Sequence, residues 1–96
     1  MTVQLCVVLW GRPGAAGALA AYEDKVLALL GGHGGRLVQR ARADGTDGRP
    51  DEIQLIEFAS QAGYDGYLAD ARRTALAAER DAAIARTDLY PVELVK

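Results

Sequence analysis

The chain has 96 residues, of which 50% are hydrophobic and 25% are charged, and its formal net charge is −2. This length predicts one domain, and the composition is typical of a globular protein and not of a disordered one. The slightly acidic balance argues against nucleic acid and anionic membrane as partners, and no apolar run approaches the ~20 residues of a membrane-spanning helix. With one cysteine and no basic leader sequence, a cytoplasmic protein is expected.

The first predicted element is a strand over residues 3–10, because this run is rich in β-branched and other apolar residues. Its two alternating faces are both apolar: one carries Leu5 and Leu9, and the other carries Cys6 and Val8. A strand that is apolar on both faces has to be covered on both faces.

An amphipathic helix is predicted next, over residues 15–30. Its apolar stripe consists of Leu19, Tyr22, Val26, Leu29 and Leu30. Glu23, Asp24 and Lys25 are expected on its solvent side. The glycine-rich segment 31–35 ends the helix, since glycine accepts the left-handed geometry of a helix cap.

Two strands, residues 36–42 and Glu52–Phe58, follow and are joined by a link rich in turn residues. They are therefore predicted to form a hairpin. The next helical region has two segments: Ser60 is the expected cap of the first, and Asp70 the expected cap of the second, which covers residues 71–85.

The last strand is predicted over residues 88–95, where Pro91 lacks a backbone donor and suits an edge position. The element order β-α-β-β-α(α)-β predicts an α+β domain of the ferredoxin-like type, with a four-stranded antiparallel sheet and the helices on one face. Because the strands are apolar on both sides, the other face would be a large apolar patch. We therefore expect a homodimer that packs through this sheet face.

Several residues along the chain resemble a known family in their order and spacing. They are Tyr22 and Leu29, the run His33-Gly34-Gly35-Arg36, Arg40, the run Ile56-Glu57-Phe58, and Leu76 with Arg80. Together they resemble the DUF1330 group of the dimeric α/β-barrel superfamily, which also holds antibiotic-biosynthesis monooxygenases, muconolactone isomerases and polyketide cyclases. The resemblance implies a ferredoxin-like protomer, a dimer whose sheets form a barrel and, as in some relatives, a small-molecule cavity between sheet and helices. It implies no particular reaction.

His33 and Glu57 are the candidates for moving a proton. His33 is the one histidine and imidazole titrates near neutral pH, but a polar residue in a glycine-rich turn is the alternative interpretation. Glu57 lies between apolar residues, where the pKa of a carboxyl group can rise; alternatively it pairs with Arg36. Arg36, Arg40 and Arg42 are predicted to share one strand face, where they either hold an anionic ligand or protect an edge strand from aggregation.

Four aromatic residues and one arginine are candidates for binding a substrate. They are Trp10, Tyr22, Tyr64, Tyr67 and Arg80. The alternative is that the tyrosines are simply packed in the core and that Arg80 forms a surface ion pair. No cofactor and no metal are expected, because the chain has one histidine, no Cys-x-x-Cys pair and no glycine-rich loop before a helix.

Two functions are compatible with these residues. The first is a protein with a small-molecule pocket, such as a cofactor-independent oxygenase, isomerase or cyclase, whose expected ligand is a small hydrophobic or aromatic metabolite. The second is a non-catalytic dimeric module that binds a ligand or another protein. A buried ionisable group in a cavity would favour the first, and a packed interior without a cavity would favour the second.

Overall fold

A computed structural model describes residues 2–95. Its strands are β1 (Val3–Gly11), β2 (Gly35–Arg42), β3 (Glu52–Phe58) and β4 (Ile84–Pro91). Its helices are α1 (Ala16–Leu27), α2 (Gln61–Ala69), α3 (Ala71–Thr74) and α4 (Ala77–Ala83). Short 3₁₀ turns occupy Leu30–His33 and Thr46–Gly48.

The four strands form one antiparallel sheet in the order β2-β3-β1-β4. This confirms the predicted α+β, ferredoxin-like architecture. β2 and β4 are the edge strands, so Pro91 lies on an edge strand, as its missing backbone donor predicted.

One face of the sheet packs against the helices, and the core lies between them. On β1, the buried face consists of Leu5, Val7 and Leu9, which join Leu19 and other residues of α1 in the core cluster. The opposite face of the sheet carries partly exposed apolar side chains; they include Val8, Ile53, Leu55 and Tyr90. We call this second surface the open face.

Local signals place most of the element ends where they were expected. The backbone N–H of Gly63 donates to Ser60 Oγ over 3.1 Å at the start of α2. The N–H of Arg72 donates to Asp70 Oδ1 over 2.8 Å at the start of α3. Gly34 follows the first 3₁₀ turn with a φ of 69°, a conformation that favours glycine. The first two contacts confirm both predicted caps. The predicted end of the first helix is wrong, because α1 already ends at Leu27 with Ala28 as its cap, and Gly34 instead ends the 3₁₀ turn that follows.

The last helix and the last strand were predicted with the wrong bounds. The helical region breaks again near Leu76, and α4 ends at Ala83 instead of residue 85. β4 begins at Ile84, four residues earlier than predicted, because Ile84 pairs with Gly11 of β1 across a register shift. Residues 92–95 lie beyond the strand.

The predicted arrangement of arginines on β2 is also wrong. A register shift between Leu37 and Gln39 interrupts the alternation of side chains along β2. As a result Arg36 pairs with Glu57 on the open face, whereas Arg40 is opposite Gln54 on the helix side. The three arginines therefore do not share a face.

Candidate small-molecule site

A cavity of about 70 Å³ lies between the helices and the inner face of the sheet. The polar residues that line it are Tyr22, Glu23, Gln54, Tyr64, Tyr67, Arg73, Arg80 and Thr87. Its apolar walls come from β1, β3 and β4 together with Val26 and Leu68. Since it combines apolar walls with a few converging polar groups, this cavity has the composition of a ligand site.

Four of the seven predicted site residues meet at this cavity. They are Tyr22, Tyr64, Tyr67 and Arg80. Tyr22 and Tyr67 are 2% and 7% exposed, and burial raises the pKa of both hydroxyl groups. Both phenols therefore stay protonated at neutral pH, and the hydroxyl of Tyr67 already donates to the backbone carbonyl of Val26 over 3.3 Å.

Glu23 is the residue in the cavity wall that the sequence pattern assigned wrongly. It was expected on the solvent side of α1, but it is 5% exposed and lines the cavity. The amide of Gln54 donates to Glu23 Oε1 over 2.7 Å. Burial raises the pKa of Glu23, which outweighs the opposite effect of the Gln54 hydrogen bond.

Glu23 belongs to a polar network that continues away from the cavity. The same Gln54 amide donates to Glu52 Oε2 over 2.6 Å. Arg40 donates to both oxygens of Glu52, from Nε over 2.7 Å and from Nη2 over 3.1 Å. A third donor of Arg40 reaches Asp24. This network holds the Gln54 amide, and through it the Glu23 carboxyl group, in one orientation.

Two arginines complete the polar wall. The guanidinium of Arg73 lies 5.1 Å from the ring centroid of Tyr67, and its buried Nε has no hydrogen-bond acceptor among the described residues. Arg80 donates from Nη2 to Thr87 Oγ1 over 3.1 Å, and its Nη1 lies 4.0 Å from Asp81. The site thus offers cationic and hydroxyl donors beside one buried acid.

His33 lies next to the site but does not line it. Its ring centroid is 6.2 Å from that of Tyr67, and its Nε2 is 2.7 Å from Asp70 Oδ2. Hydrogen bonds from Arg72 and His33 hold the pKa of Asp70 well below its usual range. His33 thus connects the first 3₁₀ turn to the start of α3, and a role in proton transfer stays a prediction.

Glu57 and Trp10 also lie apart from the cavity. Glu57 is on the open face, where it accepts hydrogen bonds from Gln4 over 2.6 Å and from Arg36 over 3.2 Å. Trp10 donates to the carbonyl of Gly48 over 3.0 Å, and Arg86 stacks over its ring. We expected one pocket to contain His33, Glu57 and the aromatic side chains. The structure instead places His33, Glu57 and Trp10 outside the cavity.

A second concave surface runs across the open face. It is a broad groove of about 680 Å³, bounded by strand residues around Glu57 and by residues 92–95. The backbone N–H of Leu94 donates to Gln4 Oε1 over 3.0 Å, which holds the segment after β4 beside the sheet.

Sequence reasoning missed Glu23, Gln54 and Arg73. A signal for Glu23 was present, because it lies four residues after Leu19 and three before Val26, on the helix stripe that is buried. Gln54 likewise lies two residues before Ile56 and four before Phe58, on the buried face of β3. Arg73 had no such signal, since the break between α3 and α4 decides where its side chain points.

Within residues 2–95, no group of three His, Cys, Asp or Glu side chains is placed to hold a metal ion. Over the same range, no helix is both long and apolar enough to cross a membrane.

No protein-family profile and no curated protein sequence matches the chain. Similar solved structures include a protein of unknown function from Rhodopseudomonas palustris, with a TM-score of 0.80, 20% identity, and coverage of 99% of this chain and 83% of that one. A dimeric protein of unknown function with a ferredoxin-like fold, from Bacteroides fragilis, has a TM-score of 0.74 at 11% identity, with 97% and 96% covered.

A dabb family protein with a ferredoxin-like fold, from Mesorhizobium loti, has a TM-score of 0.70 at 14% identity and coverage of 99% and 98%. At these identities the similarity establishes the ferredoxin-like fold alone.

Proposed function

We propose that this protein binds a small molecule in the cavity between helices and sheet, and that Glu23 exchanges a proton with it. The observation that carries the proposal is a buried carboxyl group with a raised pKa, in the wall of a cavity that also presents tyrosine and arginine donors. Perturbed acids in such surroundings are typical of sites for acid–base chemistry.

The arrangement suits removal of a proton from a carbon next to a carbonyl group. The Glu23 carboxylate takes the proton, the C–H electrons form a C=C bond, and the carbonyl oxygen becomes an enolate oxygen. Donors such as Arg73 or the Tyr22 hydroxyl stabilise that oxygen. Return of the proton to the same carbon gives exchange with solvent, and its delivery to the opposite face of that carbon or to the enolate oxygen completes an isomerisation. This chemistry needs no cofactor.

The size of the cavity limits the ligand. A cavity that binds benzene has about 150 Å³, whereas this one has about 70 Å³. The volume favours a molecule of a few non-hydrogen atoms over the aromatic metabolite suggested by the sequence. Leu68 and Leu89, which also line it, are 37% and 44% exposed, so the cavity reaches the surface at these residues.

Methyl NMR tests whether the cavity binds ligands. We expect butanone and butanoate to shift the methyl resonances of Leu5, Val7 and Ile56, which face the cavity, and to leave Val8 and Leu55 on the open face unchanged. Titrations in which neither compound moves the cavity methyls would contradict the proposal.

Exchange of α-protons in D₂O tests the acid–base role. Butanone and pyruvate are incubated with protein, and loss of their α-proton signals is compared with the uncatalysed rate. We expect catalysed exchange of at least one of them, and a drop of about a hundredfold in Glu23→Gln, the size of a typical general-base contribution. Binding without exchange would favour the alternative function, a non-catalytic ligand-binding module.

The finer relationship to the DUF1330 group and to antibiotic-biosynthesis monooxygenases is part of the same proposal. The residues named above and a cavity between sheet and helices support it. Oxygenase or cyclase chemistry would use the same first step, proton removal from an acidic substrate.

We further propose that two copies pack through the open face. Ile53 and Tyr90 are 37% and 48% exposed there, and a similar structure is described as dimeric. Sedimentation is expected to show a particle of two chains. Leu55→Lys, on the open face, should yield a monomer, whereas Ala78→Lys on exposed α4 should not. A monomer of the unsubstituted protein at micromolar concentration would refute the dimer.

A further inference from the structure

We propose that the ligand of the cavity is a small organic carboxylate and that Arg73 is the residue that recognises it. This inference rests on the proposed small-molecule site and specifies the chemical class of its ligand.

The strongest observation is that one buried donor of Arg73 has no partner. Its Nε is shielded from solvent and donates to no acceptor in the described part of the chain. A buried donor without a partner costs free energy, and the cost is larger when the donor carries charge. Arg73 also lines the cavity, so a ligand with acceptor oxygens there would give its guanidinium group a partner.

The chemistry of the guanidinium group selects the ligand. Its planar set of donors matches the two oxygens of a carboxylate, and the ring of Tyr67, 5.1 Å away, restricts its orientation. A restricted arginine loses less conformational entropy when it binds, which favours recognition of a flat anion.

The charges around the cavity agree with an anionic ligand. Two arginines line it, Arg73 and Arg80, against one carboxyl group, Glu23, whose Oε1 already accepts from Gln54. Glu79 Oε2 is also buried and unpartnered, but Glu79 is outside the lining and its Oε1 is held by Lys25. The cavity therefore has more positive than negative groups facing it.

The test compares acids with neutral molecules of the same shape. Acetate, propanoate and butanoate are titrated into the full chain beside acetamide, propanamide and butanamide, and the shifts of the cavity methyl resonances are followed. We expect the best carboxylate to bind at least tenfold more tightly than its amide, which is typical of a hydrogen bond to a charged group.

Three variants test whether Arg73 is responsible for the preference for carboxylates. Arg73→Met should remove the preference for carboxylate, Arg73→Lys should restore part of it, and Arg49→Met on an exposed loop should leave it unchanged. The acid–amide comparison in the unsubstituted protein needs no variant, so it decides the matter even if Arg73→Met does not fold.

The two failures are distinguishable. If amides and carboxylates bind equally well, the cavity is a ligand site but the inference about anions is overturned. If no compound of either series moves the cavity methyl resonances, the small-molecule site itself is refuted. A carboxylate preference that survives in folded Arg73→Met would overturn the assignment to Arg73.

Discussion

The ion pair of Arg40 and Glu52 predicts a large difference between two arginines that lie two residues apart on β2. Arg40 donates to both oxygens of Glu52, whose side chain is 1% exposed, while that of Arg40 is 18% exposed. Arg42 also faces Glu52, but its Nε is 3.9 Å away and its side chain is 63% exposed. The two residues are therefore a matched pair for one substitution.

Arg40→Met leaves the Glu52 carboxylate buried without its main cation. Loss of one partner of a buried ion pair costs about 3–5 kcal/mol, against a total stability of about 5–15 kcal/mol for a domain. Arg42→Met removes a distant and solvated charge, for which we expect a loss of at most about 1 kcal/mol. The difference should therefore be at least about 2 kcal/mol.

Urea unfolding, followed by circular dichroism at one fixed protein concentration, measures both free energies. A second variant separates a stranded charge from lost packing: Arg40→Met combined with Glu52→Leu should recover much of the stability, since no unpaired carboxylate is left. Equal losses for Arg40→Met and Arg42→Met would refute the reasoning, and so would a double variant less stable than Arg40→Met.

Four further substitutions have expected outcomes. Because the pKa of Glu23 is raised in the folded state, the contribution of this residue to stability falls as the pH rises above about 4.5. In urea unfolding measured at several pH values, Glu23→Gln should therefore lessen the fall in the free energy of unfolding. The lowered pKa of Asp70 has the opposite sign, so its stabilising effect is present above about pH 3.8 and lost in stronger acid, and Asp70→Asn should flatten this dependence. A Cβ at Gly63 would meet the carbonyl oxygen of His33, so Gly63→Ala should lower the thermal unfolding midpoint. A Cβ at Gly17 would meet nothing, so Gly17→Ala should leave the midpoint equal or higher. A midpoint lower in Gly17→Ala than in Gly63→Ala would contradict the packing described.

The predictions from sequence succeeded where a short stretch of chain decides the outcome. The strand Glu52–Phe58 follows from its residue composition, and the caps Ser60 and Asp70 follow from side chains that reach only two or three residues along the chain. The order of such elements, with the short connection between β2 and β3, was enough to predict the ferredoxin-like sheet.

The candidate site was predicted only in part, because its residues come from elements distant in sequence. Tyr22 and Tyr67 were found because aromatic side chains on inner helix faces are recognisable. Glu23 was misplaced because a carboxyl group is buried only where a partner receives it, and that partner, Gln54, lies 31 residues away.

The amino-acid sequence by itself determined the type and order of the main elements and most of their apolar positions, because periodicity and capping act within a few residues. Only the tertiary structure decided which face of β1 meets the helices, on which side of the sheet Arg36 and Arg40 lie, and that Arg73 points into the cavity with Glu23. These outcomes depend on a strand bulge, a break between two helices and hydrogen bonds between distant residues, and their energies exist only once the chain has folded.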